Sequence, residues 1–330
     1  MRSNDAIHLG LMLLALAAAY LVPFELLLLA YVVLGPAHYF TEISWLHDRS
    51  YYLPHRGIAA ALAIIAVIAA LTDNASWFGF AMWSALVACA MLAATNSAVE
   101  SMLLFMVAIA LSAMMYSSGS SLAVIGVLIP TLIHVSLFTL VFMVLGAHRS
   151  GSRAQAALVV VYLAAIATIL LLPPTADIRI ASFARAAQDY LGNVGPALGR
   201  LFGVPSLVLD TRLTSLLAFV YTYHYLNWFI KADVIRWAAV PKPRLAAMAA
   251  ASAASTALYF YDYALGFTLL LAVSLIHILL EFPLDALALR QLGAAVHDAI
   301  RARFASPTPI AAPRSRPASS TVSKRAKQSR

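Results

Sequence analysis

Long apolar runs, each close to the length of a membrane span, recur ten times along this 330-residue chain. A helix needs about 20 apolar residues to cross a hydrocarbon core about 30 Å thick, because it rises about 1.5 Å per residue. Only 11% of the residues are charged, and the mean hydropathy of +0.85 excludes an ordinary soluble domain. The sequence therefore predicts an all-α fold, a polytopic transmembrane helix bundle with spans near residues 6–22, 24–46, 56–72, 76–95, 98–117, 121–146, 154–173, 207–230, 243–261 and 266–286.

The basic residues predict the orientation of the bundle in its lipid bilayer. Lys and Arg residues in short loops are retained on the cytoplasmic side of a membrane. With ten spans, 18 of the 22 Lys and Arg residues fall on the side that also holds both termini, and 4 fall on the other side. We therefore expect cytoplasmic N and C termini and a multi-pass protein of the bacterial inner (cytoplasmic) membrane.

Three further segments accompany the spans, the first of them within the predicted bundle of residues 1–286. Residues 174–206 form a long non-cytoplasmic loop in which apolar residues recur at helical spacing, as in an amphipathic helix that lies along the membrane surface. Residues 287–305 are expected to form a cytoplasmic amphipathic helix. The tail at 306–330 has six basic residues and no acidic one. It is predicted to be disordered and to bind anionic lipid headgroups, not nucleic acid.

Six ionisable side chains interrupt the apolar runs, where an unpaired charge costs several kcal/mol. His38 and Glu42 stand four residues apart in the second span and therefore share one helix face. His277 and Glu281 repeat this His-x-x-x-Glu spacing in the last span. Two other spans contribute one histidine each, which completes the set His38, His134, His224, His277, Glu42 and Glu281.

The four histidines are predicted to lie in the cytoplasmic half of the membrane. At about 1.5 Å per residue, three of them lie roughly 10 to 13 Å below the cytoplasmic ends of their helices, and the fourth roughly 16 Å. Imidazoles and carboxylates together are donors for iron and other first-row divalent metals, and the single cysteine excludes a cysteine-based cluster. We therefore predict a divalent-metal site, with iron as the metal. Its ligands are His38, His134, His224 and His277, and its catalytic carboxylates, which orient or complete the ligand shell, are Glu42 and Glu281.

Pro36 is predicted to kink the second span just before the first of these histidines. A proline inside a helix leaves one backbone carbonyl without its N–H partner, and a neighbouring helix must then bond that carbonyl. Inside a membrane this is tolerated where the helix lines a cavity enclosed by protein. Such a cavity is also what a metal site requires.

A metal held inside a membrane suits the oxidation of a lipid-soluble substrate by O₂, because both reactants concentrate in the bilayer. We therefore expect a membrane oxidoreductase in which the metal activates O₂. Three alternatives stay open. The same residues could form interhelical hydrogen bonds worth about 1 kcal/mol each, a proton relay in a proton-coupled transporter, or two axial ligands of a haem in an electron-transfer protein.

The second span also resembles a known family. The run from Gly35 to Glu42 (GPAHYFTE), followed by lone histidines on later helices, is similar to the bacterial integral-membrane carotene-cleaving dioxygenases of the Brp/Blh family. The resemblance implies non-haem iron held by histidines of several helices, and cleavage of β-carotene to retinal. The family pattern has an aspartate where this chain has Glu42.

Overall fold

The computed structural model describes residues 3–71, 75–92, 97–117, 129–174, 211–231 and 235–304. Within these residues the regular secondary structure is helical and contains no strand. The all-α prediction is therefore confirmed for the described part of the chain. The predicted surface loop at 174–206, apart from its first residue, and the predicted tail at 306–330 lie outside the described residues.

Ten long helices make up the described part of the chain, and each overlaps one predicted span. They are α1 (Ser3–Leu21), α2 (Pro23–His47), α3 (Arg56–Leu71), α4 (Ala75–Leu92), α5 (Ala98–Ser117), α6 (129–150), α7 (Arg153–Leu171), α8 (Thr211–Ile230), α9 (Lys242–Tyr261) and α10 (Tyr263–Phe304). Short 3-10 turns cover Ser50–Tyr52 and Trp237–Ala239.

The helices have the surface of an integral membrane protein. Large apolar side chains are exposed on the outer helices, for example Leu14, Ile68 and Val160, and a surface of this kind is stable against lipid but not against water. Arg56–Leu71 and Phe80–Leu92 are apolar but short. Among the described residues, five stretches are long and apolar enough to cross a membrane by length and composition: Asn4–Leu21, Pro23–His47, Leu132–Ser150, Arg153–Leu171 and Tyr263–Arg301.

Helix α8 is buried over much of its length although it is not among those five apolar stretches. Its buried residues include Thr214, Ser215, Tyr223, His224 and Asn227. A helix surrounded by other helices can carry such side chains, because its neighbours satisfy them and little of it faces lipid. The modest hydropathy of α8 thus reflects a central position.

Two packed clusters of apolar side chains flank the centre of the bundle. One joins α2, α3, α4 and α10 and includes Leu46 and Leu279. The other joins α1, α2, α6, α7 and α8 and includes Tyr162 and Phe219. Helices α2, α6, α8 and α10, which carry the predicted site residues, belong to one or the other cluster and meet between them.

A π-helical turn, Ala30–Leu34, interrupts α2 just before Pro36. Pro36 has no N–H to offer the carbonyl of Val32. The Thr256 hydroxyl of α9 donates to that carbonyl instead, at 2.7 Å. The prediction that a neighbouring helix bonds the carbonyl freed by the proline is therefore confirmed.

Helices α9 and α10 form a tight hairpin. Only Asp262 separates them, and its Oδ1 accepts a hydrogen bond from the backbone N–H of Leu265 at 3.0 Å, as a helix N-cap does. A Cβ on Gly266 would collide with the backbone of Tyr259. Glycine at this position lets the two backbones approach each other.

Helix α10 is continuous over 42 residues, Tyr263–Phe304. It includes both the predicted last span at 266–286 and the residues expected to form a separate amphipathic helix at 287–305, so these two predicted elements are one helix. The compact body of the protein ends at Leu292, and Gly293 begins a second unit.

Candidate metal centre

Four histidines from four helices come together where α2, α6, α8 and α10 meet. His38, His134, His224 and His277 pack ring against ring, with centroid separations of 4.8 to 5.4 Å between neighbouring rings. All four are buried, and the two predicted carboxylates beside them are buried too. The structure therefore brings all six predicted site residues into one cluster, while their chemical roles stay predictions.

The surroundings of His224 fix which ring nitrogen is free for a ligand. Thr139 Oγ1 lies 2.8 Å from His224 Nδ1 and donates its own hydrogen to the carbonyl of Val135 at 2.7 Å. The hydroxyl can therefore only accept a hydrogen from His224, so Nδ1 carries that hydrogen. In the neutral ring, Nε2 then holds the lone pair.

His277 is held in the same tautomer. Its Nδ1 donates to the backbone carbonyl of Ser274 at 2.5 Å, since a carbonyl can only accept. The Nε2 atom therefore holds the lone pair, and it is buried with no hydrogen-bond partner in the described structure. Tyr39 stacks on the His277 ring at a centroid distance of 4.4 Å, and the Tyr39 hydroxyl is hydrogen-bonded to Tyr225 at 2.7 Å.

The Nε2 atom of His38 faces two groups. It lies 2.9 Å from Oε2 of Glu42 and 3.2 Å from Nε2 of His224. Because Nε2 of His224 is a lone-pair acceptor, the hydrogen between the two rings belongs to His38 when no metal is bound. Glu42 Oε2 has no hydrogen-bond partner among the described residues despite the short distance. For a cation to bind both Nε2 atoms, this hydrogen would have to move to Nδ1 of His38, which is buried and has no hydrogen-bond partner among the described residues.

His134 lies between two carboxylates of α10. Its Nε2 is 3.4 Å from Oε2 of Glu281, and its Nδ1 is 3.6 Å from Oδ2 of Asp285. Both separations are longer than an ordinary hydrogen bond. A carboxylate behind a metal-bound histidine fixes the tautomer of the ring and raises its basicity. Asp285 stands in that position relative to His134.

An unusual number of the buried polar atoms in the cluster have no hydrogen-bond partner within the described residues. A buried polar atom without a hydrogen bond costs free energy, so most such atoms in proteins are paired. Here eight buried atoms have no hydrogen-bond partner within the described residues: His38 Nδ1, Glu42 Oε2, His134 Nδ1 and Nε2, His277 Nε2, Glu281 Oε2, and Asp285 Oδ1 and Oδ2. Their concentration in one place indicates a ligand that the side chains do not themselves provide.

The carboxyl groups of Glu42 and Glu281 also contact each other. Two adjacent carboxylates in a low-dielectric interior do not both stay charged on their own. They either share a proton, which leaves one negative charge, or bind a cation. Lys231, half-buried just past the end of α8, brings one positive charge close to the cluster. Burial lowers the pKa of the Lys231 ammonium, and the carboxylates of Glu281 and Glu42 oppose that shift.

Two of the histidines depend on π-helical segments for their position. His134 lies inside the π-helical stretch Ile129–Phe138 of α6. His38 follows the π-helical turn Ala30–Leu34 of α2. Because π-helical turns are wider than α-helical turns, they shift the register of the side chains that follow, and they occur frequently at functional sites.

Two residues of the cluster are not among the six predicted site residues. Asp285 is fully buried in the cluster, whereas the sequence interpretation places it at the end of the last span. The missed signal is its spacing, because His277, Glu281 and Asp285 follow one another at intervals of four and so share one helix face. Thr139 is a possible hydrogen-bond partner of the histidines under the alternative of interhelical hydrogen bonds, but its pairing with His224 depends on how α6 packs against α8.

No protein-family model, curated protein or solved structure matches this chain. The resemblance of the second span to the carotene-cleaving dioxygenases therefore stays a prediction. What the site can bind follows from the donors it presents: imidazole nitrogens with fixed tautomers, and carboxylate oxygens.

A groove of about 560 Å³ runs between α2 and α9 beside the cluster. Its lining is mostly apolar and small, and includes Ala37 and Ala249. Thr41 also lines the groove and accepts a hydrogen bond from Nε1 of Trp228 at 3.0 Å. The Trp228 ring lies edge-on to the His38 ring at 5.5 Å. The Thr41–Trp228 pair therefore contacts the groove through Thr41 and the His38 ring through Trp228.

Proposed function

We propose that this protein is a membrane-embedded, metal-dependent oxygenase that acts on a lipid-soluble substrate. The observation that supports the proposal is the meeting of four buried histidines from four helices. Two of them, His224 and His277, have Nδ1 engaged by a local acceptor, so that Nε2 offers its lone pair. Histidines that only stabilise a helix bundle do not need this shared orientation.

The spacing of the donors fits a transition metal. With metal–nitrogen bonds of about 2.1 Å, two ligands of one ion lie about 3.0 to 4.2 Å apart. The Nε2 atoms of His38 and His224 are 3.2 Å apart. Imidazole combined with carboxylate is the donor set of non-haem iron(II) enzymes, and we propose iron.

Charge balance also favours a metal. Glu42, Glu281 and Asp285 bring three carboxyl groups into the buried cluster, against one positive charge on Lys231. If all three are ionised, at least two negative charges remain for bound metal to balance. Unbalanced buried charges would cost several kcal/mol each.

The packing of the rings favours a bare ion over a haem. The macrocycle of a haem must lie between the rings of its two axial histidines. The His38 ring has the rings of His224 and His277 at 4.8 and 5.2 Å, and His134 packs equally closely against those two. Rings as close to one another as these leave no room for a macrocycle between them.

The reaction that we propose is the oxidative cleavage of a carbon–carbon double bond, as the family resemblance implies. The double bond of the substrate and the bond of O₂ break, and two carbonyl groups form. Both oxygen atoms enter the products, so no external reductant is required. A bound metal would supply the coordination positions at which O₂ is activated.

The chain's own residues hold the ion and shield it. The imidazoles supply the nitrogen donors, and the Thr139 hydroxyl and the Ser274 carbonyl hold two of the rings in the correct tautomer. The hydrogen-bonded pair Tyr39 and Tyr225 covers the rings with aromatic surface and excludes water.

The groove between α2 and α9 supports a lipid-soluble substrate. Its volume lies within the range of about 300 to 1,000 Å³ that is usual for ligand pockets. Its apolar lining suits a hydrocarbon chain and offers few polar groups to bind a charged solute. For the substrate to reach His38 from the groove, the Thr41–Trp228 pair must move aside.

The proposal includes the full topology expected from the sequence, with ten spans, cytoplasmic termini and a bacterial inner membrane. The ten long helices of the described residues and the uneven distribution of Lys and Arg support it. In this orientation the histidines lie in the cytoplasmic half of the bilayer.

Metal content and product formation test the proposed function together. Protein purified in detergent without chelators should contain iron, and His277→Ala should contain less of it while eluting as the same monodisperse species. His297→Ala, which changes an exposed histidine, should keep the metal. In phosphatidylcholine vesicles that contain β-carotene, the native protein should consume one O₂ for each molecule cleaved to aldehyde, and His277→Ala should not.

The outcomes separate the alternatives. Native protein without metal would contradict the oxygenase and favour the proton relay of a transporter, which uses the same His and Glu residues. A Soret absorption band would favour the haem protein. Bound iron without any O₂ consumption would leave a metal site and exclude the proposed cleavage of this substrate.

A further inference from the structure

We propose that the cluster holds two metal ions rather than one, an inference that rests on the proposed function and specifies its site. One ion is bound by His38, His224 and Glu42. The other is bound by His134, His277 and Glu281. Each set is two histidines and one carboxylate, a donor set that binds iron(II) and leaves coordination positions open.

The first argument is the division of the donor atoms in space. Donor atoms that lie within 4.8 Å of one another form two groups, His38 with His224 and His277, and His134 with His277 and Glu281. Ligands of one octahedral ion lie no more than about 4.2 Å apart when the bonds are about 2.1 Å long. His38 and His134 fall into different groups, so one ion does not suit both. Glu42 belongs to neither group and joins the first set through His38, whose Nε2 lies 2.9 Å from Glu42 Oε2.

The second argument is the position of His277, which belongs to both groups. Its Nδ1 is engaged by the Ser274 carbonyl, so it has one lone pair and can bind one ion. The ion at His38 already has a carboxylate beside it, because Glu42 Oε2 lies 2.9 Å from His38 Nε2. The ion at His134 has Glu281 at 3.4 Å and needs a second nitrogen. His277 supplies it.

The third argument is the number of donors. A catalytic ion keeps coordination positions open for its substrate. Six donors on one octahedral ion would fill every position, whereas three donors on each of two ions leave both open. The carboxyl groups of Glu42 and Glu281, one from each set, contact each other. Carboxylates placed between two sets of ligands can bridge two ions, as in di-iron helical bundles.

The arrangement also accounts for the repeated His-x-x-x-Glu spacing. α2 supplies His38 and Glu42 to one ion, and α10 supplies His277 and Glu281 to the other. α8 and α6 then add one histidine each. Each ion therefore draws on a His-x-x-x-Glu helix and on one additional helix.

Stoichiometry and magnetism of the native protein test the inference. Protein produced with excess iron and purified anaerobically should contain about two iron ions per chain by elemental analysis. After oxidation it should give little EPR signal, because two ferric ions joined by a bridge couple to a diamagnetic ground state. One iron per chain with the EPR signal of an isolated ferric ion would overturn the inference and leave the proposed function standing. Protein without metal would overturn both.

Variants test the division into two sets. His134→Ala should lower the iron content from about two ions to about one, and the remaining ferric ion should become visible by EPR. His224→Ala, in the other ligand set, should also lower the iron content to about one ion and give an EPR signal. His297→Ala should keep both ions and give little EPR signal. Loss of all iron from either variant that still elutes as a monodisperse species would contradict two separable sets.

Discussion

At the scale of single residues, the Thr139 hydroxyl decides which nitrogen His224 presents to the cluster. It accepts from Nδ1 at 2.8 Å because its own hydrogen is already donated to Val135. We predict that Thr139→Val weakens metal binding about 10- to 100-fold, the usual effect of removing a partner behind a ligand. A competition titration with a fluorescent chelator measures this change.

Two variants control for simple loss of packing. Thr268 makes the same bond to a carbonyl four residues earlier in its helix, but this bond is exposed, so Thr268→Val should leave metal affinity unchanged. Thr139→Ser retains the accepting oxygen and should recover most of the affinity. Equal losses for Thr139→Val and Thr268→Val would show that the hydroxyl does not act through His224.

The residues of the cluster differ in how far the sequence predicts them. Histidines and glutamates stand out inside apolar runs because their burial is costly, so all six could be picked without coordinates. Asp285 follows Glu281 at the same interval of four and could have been found in this way. Thr139 could be named only as one of several possible hydrogen-bond partners of the histidines, because a threonine inside a helix ordinarily bonds to its own backbone and nothing in its spacing indicates a partner on α8.

At the scale of elements, the helices follow from apolar length, but their internal register does not. The π-helical segments Ala30–Leu34 and Ile129–Phe138 leave no apolar pattern of their own. For α2 the sequence does contain a cause, since Pro36 removes one backbone donor and predicts that a neighbour must bond the freed carbonyl. It does not predict that this neighbour is Thr256 of α9, because that depends on packing.

The groove between α2 and α9 carries a prediction of its own. Ala249 lies on the α9 wall of the groove, and a phenyl group at this position would fill part of the space. We predict that Ala249→Phe lowers the rate of β-carotene cleavage in vesicles roughly 10-fold or more, because a misplaced substrate loses the contacts that orient it. Its iron content should equal that of the native protein.

The same substitution on the other side of α9 is the control. Ala254 is exposed and lies opposite the groove by helical periodicity. Ala254→Phe should leave both rate and iron content unchanged. If Ala249→Phe cleaves the substrate at the native rate, the groove is not its path to the histidines.

At the scale of the whole molecule, hydropathy describes the contact of each helix with lipid rather than its membership of the bundle. Outer helices such as α7 are uniformly apolar, whereas α8 carries Thr, Ser, Tyr, His and Asn because it is surrounded by other helices. A strict requirement for apolar length and composition therefore includes α7 and leaves out α8, although the sequence analysis recognises residues 207–230 as a run between polar breaks. The distribution of Lys and Arg adds independent information, because it depends on which loops stay in the cytoplasm.

Of the ten proposed spans, α3 is the least certain to cross the membrane because it is short. Cysteine labelling on its two sides shows whether it crosses. With 16 residues α3 is about 24 Å long, shorter than a hydrocarbon core of about 30 Å. It can still cross if the bilayer thins around it. In a Cys89→Ala background, Asp73→Cys should react with a membrane-impermeant maleimide in intact cells. His55→Cys and His297→Cys should react only after the cells are permeabilised.

Each departure from this labelling pattern indicates a different error in the topology. Because α3 lies between positions 55 and 73, equal labelling of both would show that α3 does not cross the membrane. Eight proposed spans separate positions 55 and 297, so labelling of these two from opposite sides would require an odd number and contradict the count. Labelling of position 55 in intact cells, with position 73 protected, would show that the protein has the opposite orientation in the membrane. The histidines would then lie in the outer half of the bilayer, and the orientation predicted from the Lys and Arg residues would be wrong.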